Sequence, residues 1–253
     1  MSRRDDDGGW KPAVPPVRLH LAAHEALDPD RPWIRTVRIV IGLFVLAALV
    51  QKTIDATLPG NDVDIPQLYS EFTVQGNLVF GLVMVVSGAR PRNRLPAWWD
   101  HLFGALVLYL VMTGIIYVLL VAPPEEPWWS LDLYWPQLVH HRLAPLAAVL
   151  DWLLVTRTAR GSWWRPLAWL GYPAAFLAFS WVRGGFDGWY VYDFLDPTLD
   201  GGWPGVLGAT TQVLAAFLVV AVLVHAAGNA RSRLAAGGPA SRGGLAGSPG
   251  MAA

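Results

Sequence analysis

Cysteine is absent from the 253-residue chain. That excludes disulfides, thiolate catalysis, iron–sulfur clusters and cysteine-held zinc. Charge is scarce as well: 15% of residues are charged, where a typical soluble domain has about 25%. The 19 basic and 19 acidic residues cancel, so the chain lacks the basic excess of a nucleic-acid binder. No H-E-x-x-H or similar spacing marks a metal, and no G-x-S-x-G elbow marks a serine hydrolase. Fixed-period repeats and the repeated halves of a transporter are missing too. His101 and His225 fall near one membrane face and His141 near the other, which argues against a haem bridged between them. No cofactor or metal is expected.

What is present is apolar. Hydrophobic residues make up 54%, with 14 tryptophans, and mean hydropathy is +0.37. Such a chain is not disordered as a whole. A bilayer core about 30 Å thick takes roughly 20 apolar residues per helix. Six stretches qualify, at about 34–53, 69–88, 98–121, 134–156, 163–183 and 204–228. The expected fold is all-α: a polytopic membrane protein with six transmembrane helices over residues 33–229. Residues 1–32 form a polar, proline-rich segment with no signal-peptide cleavage site. Residues 230–253 read as a disordered Gly/Ala/Ser-rich tail.

Sixteen of the 19 basic residues, among them Arg35, Arg38, Arg90, Arg92, Arg94, Arg157, Arg160 and Arg231, cluster on one side of these spans. The other connections are acidic, with Asp55, Asp62, Glu125, Glu126, Asp187 and Asp193. The positive-inside rule then puts both termini in the cytoplasm. Trp98-Trp99, Trp128-Trp129 and Trp163-Trp164 stand at span ends, as interfacial aromatics do. Arginine far outnumbers lysine, and alanine, glycine and proline abound, which points to a GC-rich bacterial source and hence a plasma membrane.

Polar residues inside spans are costly and are functional candidates by default. Span two opens Glu71-Phe-Thr73-Val-Gln75-Gly-Asn77. Thr73 lies ~6 Å below its outer start, and Asn77 shares its helix face. A plain polar seam between helices is the competing reading. Span four carries His140-His141-Arg142, with Pro145 removing a backbone hydrogen bond close by. His141 falls ~10 Å below the outer start, so a hydroxyl and an imidazole share one layer. That is the minimum for a threonine nucleophile with a histidine base. Asp151 lies ~15 Å from His141 along a regular helix, too far to orient it, and is expected to cap a helix end or act between helices near the cytoplasmic side. Asn77, then Gln75, are candidate oxyanion donors. Arg142 or Arg183 could hold a substrate carboxylate. Tyr190 and Tyr192 sit in the aromatic stretch 183–197, which has too many rings for a solvated linker and could fold back as a lid.

The motifs F-T-V-Q-G-N in span two, H-H-R-L-A-P in span four and W-Y-V-Y-D-F-L-D after span five resemble, in order and spacing, the androgen-induced-gene family of six-helix membrane proteins. The resemblance covers residues 34–228. It implies hydrolysis of fatty acid esters of hydroxy fatty acids by an intramembrane threonine and a histidine, with lipid substrate drawn from the bilayer. Thr73 matches the family threonine. The histidine is either His140, five residues before Pro145, or His141, ten before Asp151; the four-residue spacing to proline favours His141. Where the family commonly has proline, this chain has Asp193. The alternative is a non-catalytic membrane protein that binds a lipid or small molecule. Oligomeric state is open.

Overall fold

The computed structural model describes residues 27–60, 64–127, 129–155, 161–199 and 201–236. Among them no strand forms. The helices are α1 (Pro32–Asp55), the single turn α2 (Ile65–Leu68), α3 (Phe72–Ala89), α4 (Trp99–Val121), α5 (Trp135–Val155), α6 (Trp164–Trp169), α7 (Gly171–Asp187) and α8 (Gly202–Ala236). Five of these, α1, α3, α4, α5 and α8, are long and apolar enough to cross a membrane. Large apolar side chains point outward along them: Val40, Leu43, Leu82, Leu146, Leu153, Val219 and Leu223 are all exposed. A water-facing helix would turn its polar stripe outward instead. The chain is built as a multi-pass integral membrane protein.

The fifth expected span, 163–183, is not one helix. It breaks between Trp169 and Gly171, leaving pieces of 6 and 17 residues. Pro173 explains the break. It has no N–H to give the carbonyl four residues back, and that carbonyl, on Trp169, accepts instead from the Tyr109 hydroxyl at 2.8 Å.

α1 and α3 pack with little between their backbones. A Cβ added at Gly42 would lie 2.6 Å from the Gly81 carbonyl oxygen, and one at Gly88 would run into that of Arg35. Small residues allow such approach where lipid offers no hydrophobic drive for helix association. Arg35 then donates to the Gly88 and Ala89 carbonyls at 2.8 and 2.7 Å, satisfying the end of α3. Gly42→Ala is expected to destabilise the bundle by ~1–3 kcal/mol through overpacking. Gly185→Ala, with nothing within 4 Å of its Cβ, should not. Thermal unfolding in detergent compares the two.

Arg38, grouped above with the cytoplasmic positive charges, lies inside α1 and is 5% exposed. It makes two parallel bonds of 2.7 Å to Asp151 on α5. Of the two roles expected of Asp151, capping or inter-helix, it has the second, with a partner that charge counting had placed elsewhere. α8 runs on to Ala236, past the boundary expected at 229. Arg231 holds this extension by donating to the Trp152 carbonyl at 2.8 Å and to that of Leu154. Most of the N-terminal segment, Trp128 of the aromatic pairs, and the tail beyond 236 lie outside the described residues.

Candidate functional site

Near the ends where α1 and α4 finish and α3, α5 and α8 begin, the bundle forms a half-open cavity of about 280 Å³. Its walls are mostly apolar: Ile116, Phe176, Leu177, Val213, Leu214 and Phe217 line it. Its polar lining comes from five segments. Lys52 lies near the end of α1, Glu71 and Thr73 at the start of α3, and Thr113 in α4. His141 comes from α5 and Thr210 from α8. Val191, Tyr192, Phe194 and Leu195, from the connection between α7 and α8, complete the lining.

Thr73 is the second residue of α3, and it is buried. Its helix begins without a side-chain cap, because Glu71 turns away to Lys52 at 3.2 Å. The first-turn N–H groups of Phe72 and Thr73 therefore have no intrahelical or carboxylate acceptor. Tyr192 fills that place. Its phenol meets the Thr73 hydroxyl and the backbone amides of Thr73 and Phe72. Burial, helped by the Glu71 carboxylate, pushes the phenol above its ordinary pKa, and these donors oppose the shift. The ring stacks on Phe194 at 5.3 Å and 6°. A left-handed Gly188, with φ 73°, starts the connection. Glycine adopts that conformation freely.

His140 and His141 part company. They sit in a π-helical stretch, Val139–Leu143, just ahead of Pro145. Such bulges often mark functional positions. His141 faces the cavity, and its Nδ1 is buried without a partner among the described residues. The ring stacks on Tyr117 with centroids 4.1 Å apart. His140 is fully buried, away from the cavity lining, and donates from Nε2 to the Val45 carbonyl at 3.3 Å. No hydrogen bond joins Thr73 to His141 in this structure; the Thr73 hydroxyl meets Tyr192.

The other expected residues fall around this pair. Asn77 donates its amide to the Thr73 carbonyl at 2.9 Å and the His140 carbonyl at 3.4 Å. Both its N–H groups are thereby used in tying α3 to α5 behind the cavity. Gln75 accepts from the Tyr172 hydroxyl and donates to the Tyr69 carbonyl. Arg142 pairs with Glu126 at 3.1 Å and lies over the Tyr117 ring. Arg183 pairs with Asp187, donates to Ser70 and covers the Trp189 ring. Tyr190 packs against Gly184. None of these five lines the cavity.

Sequence reasoning missed Lys52, Thr113 and Thr210. Lys52 carried one signal: it is a basic residue on the side of the spans where acidic residues prevail. The threonines carried none, since a hydroxyl in a span usually bonds its own backbone.

No family model, curated protein or solved structure matches the chain. The functional reading therefore rests on the cavity and its residues.

Proposed function

We propose that this protein is a membrane-embedded lipid-ester hydrolase that works by a Thr73 nucleophile and a His141 base. The observation that carries the reading is that α3 and α5 bring a buried threonine and a half-buried histidine, whose Nδ1 is sealed, to one mostly apolar cavity. In this reading α6 and α7 together make the sixth crossing. The termini are cytoplasmic, the membrane is a bacterial plasma membrane, and the cavity lies in its outer half. The ester enters laterally from the lipid.

Thr73 Oγ attacks the ester carbonyl while His141 takes its proton. The carbonyl oxygen becomes an oxyanion beside the uncapped start of α3. There the amides of Phe72 and Thr73, with the Tyr192 hydroxyl, are its donors, in place of Asn77 and Gln75. The alcohol leaves with the proton from His141. Water then attacks the acyl-threonine, His141 takes its proton, and the acid departs as Thr73 regains its own. For this the substrate carbonyl displaces the Tyr192 phenol from the Thr73 hydroxyl, and the Thr73–His141 bond closes on binding. Catalytic hydrogen bonds are often long in an unliganded site.

Lys52 replaces Arg142 and Arg183 as the anchor for a substrate carboxylate, because it is the cation that reaches the cavity. Its pairing with Glu71 is a single contact. Lys52→Met should raise KM about tenfold for an ester bearing a free carboxylate, with kcat kept, as loss of uniform binding does. KM for the corresponding methyl ester should not move; a parallel rise would remove Lys52 from this role.

The second reading, a lipid-binding protein without catalysis, is favoured by the Tyr192 phenol lying against the Thr73 hydroxyl. A fluorophosphonate probe separates the two. A hydrolase is labelled at Thr73, found by peptide mass spectrometry, and labelling is lost in His141→Ala. Absence of any adduct on folded protein rejects the hydrolase.

A further inference from the structure

The cavity wall contains two threonines that the proposed chemistry does not use. Thr113 and Thr210 are 3% and 6% exposed, both line the cavity, and neither hydroxyl has a hydrogen-bond partner among the described residues. This is not the habit of threonines in this chain. Thr53 donates to the Leu49 carbonyl at 2.9 Å, and Thr211, the neighbour of Thr210, donates to that of Leu207 at 2.7 Å. Back-bonding of this kind is the ordinary way for a hydroxyl in a helix to be satisfied. Thr113 and Thr210 forgo it on two helices that face one space. A buried hydroxyl left without a partner opposes folding, and more so where lipid replaces water outside.

Their depth sets them apart from Thr73, while Thr113 lies at about the level of His141, whose carbonyl faces the neighbouring Gly114. Thr113 is eight residues from the end of α4 at Val121, and Thr210 eight from the start of α8 at Gly202. At 1.5 Å per residue each lies ~12 Å in. Thr73 is at the first turn of α3, and Lys52 is three residues from the end of α1. The cavity thus runs from a charged mouth, past Thr73, to a deeper level where His141, Thr113 and Thr210 line it together with Ile116, Val213, Leu214 and Phe217.

We propose that Thr113 and Thr210 form a second polar subsite, so that the cavity selects an amphiphile whose acyl chain carries a hydroxyl beyond the group held at Thr73. A threonine hydroxyl both donates and accepts, which suits a chain hydroxyl and wastes the site on a plain hydrocarbon. The subsite rests on the cavity being the lipid site of the reading above, but not on hydrolysis.

The test is displacement of a fluorescent fatty acid, cis-parinaric acid, from the full chain in lipid nanodiscs. Competitors are palmitic acid and a series of hydroxypalmitic acids in which the hydroxyl moves along the chain. The wild type should prefer one or two mid-chain isomers over palmitic acid by about tenfold, the scale of one good hydrogen bond. Thr113→Val with Thr210→Val keeps shape and removes both hydroxyls; the preference should fall to within about twofold while palmitic acid binds at least as well. Thr113→Ser should keep the preference, and the single valine variants, each judged monodisperse, should lose part of it. A wild type that binds all chains alike, a preference that survives in the double variant, or no displacement by any competitor overturns the subsite. Thr73→Ala keeps the hydrolase question apart. If it retains the preference while neither it nor the wild type cleaves an ester, the hydrolase reading fails and the subsite stands.

Discussion

Thr73→Ala should lower turnover of a branched fatty acid ester by about a thousandfold or more, in protein that still folds and still binds lipid. The alanine removes the atom that attacks, so no part of the acyl-enzyme route remains. His141→Ala should cost ~10²- to 10⁴-fold, the range of a general base. The double variant should be little worse than Thr73→Ala alone, because residues that act as one unit do not add. His140→Ala is the informative contrast. His140 is away from the cavity, bound to the Val45 carbonyl, so its loss should lower stability and leave kcat within a few-fold, an order-of-magnitude expectation for a residue outside the chemistry. Initial rates on purified protein, with unfolding curves for each variant, check all four. Activity unchanged in Thr73→Ala assigns the turnover to another site or a contaminant. An effect of His140→Ala on kcat as large as that of His141→Ala rejects the assignment of the base.

The second large effect is expected at the opposite end of the bundle. Arg38→Ala or Asp151→Ala should destabilise by ~3–5 kcal/mol, since either leaves a buried charge with its main partner gone. Both side chains are nearly sealed, at 6% and 7% exposure, and the pair is bidentate. The pair also joins α1 to α5, the helix that carries His141. Arg38→Met with Asp151→Leu should be milder than either single change, because two apolar groups leave no charge uncompensated. Unfolding temperature in one detergent measures the set. Single variants as stable as wild type would show that water or lipid headgroups reach the pair, contrary to its burial.

These two regions differ in how far the residues alone reveal them. Thr73 and His141 stand out as polar groups in apolar spans, and spacing puts them in one layer. Spacing does not say which of two adjacent histidines turns inward. A regular helix separates neighbours by about 100°, but the π turn at Val139–Leu143 changes that angle locally. Asn77 was a reasonable donor by its position on the helix face of Thr73, with Gln75, two residues on from Thr73, as the second candidate. What decided their roles was the arrival of the His140 carbonyl and the Tyr172 hydroxyl, both distant in sequence. Arg142 and Arg183 could not be told from Lys52 as anchors, because each took an acid within reach of its own segment, Glu126 or Asp187. Lys52 has an acid as well, yet that acid is part of the cavity wall.

Composition and hydropathy were enough to establish an all-helical, membrane-spanning chain and the positions of its long apolar helices. Burying backbone polar groups in lipid leaves helices as the available solution, and each helix needs a minimum apolar length, so local composition suffices. The break at Gly171, the seating of Arg38 against Asp151, the cover of Tyr192 over Thr73 and the two unpartnered hydroxyls were decided only in the tertiary structure. Each depends on what a second helix presents at the same depth, and facing positions on separate helices are set by packing, which no single stretch of sequence encodes.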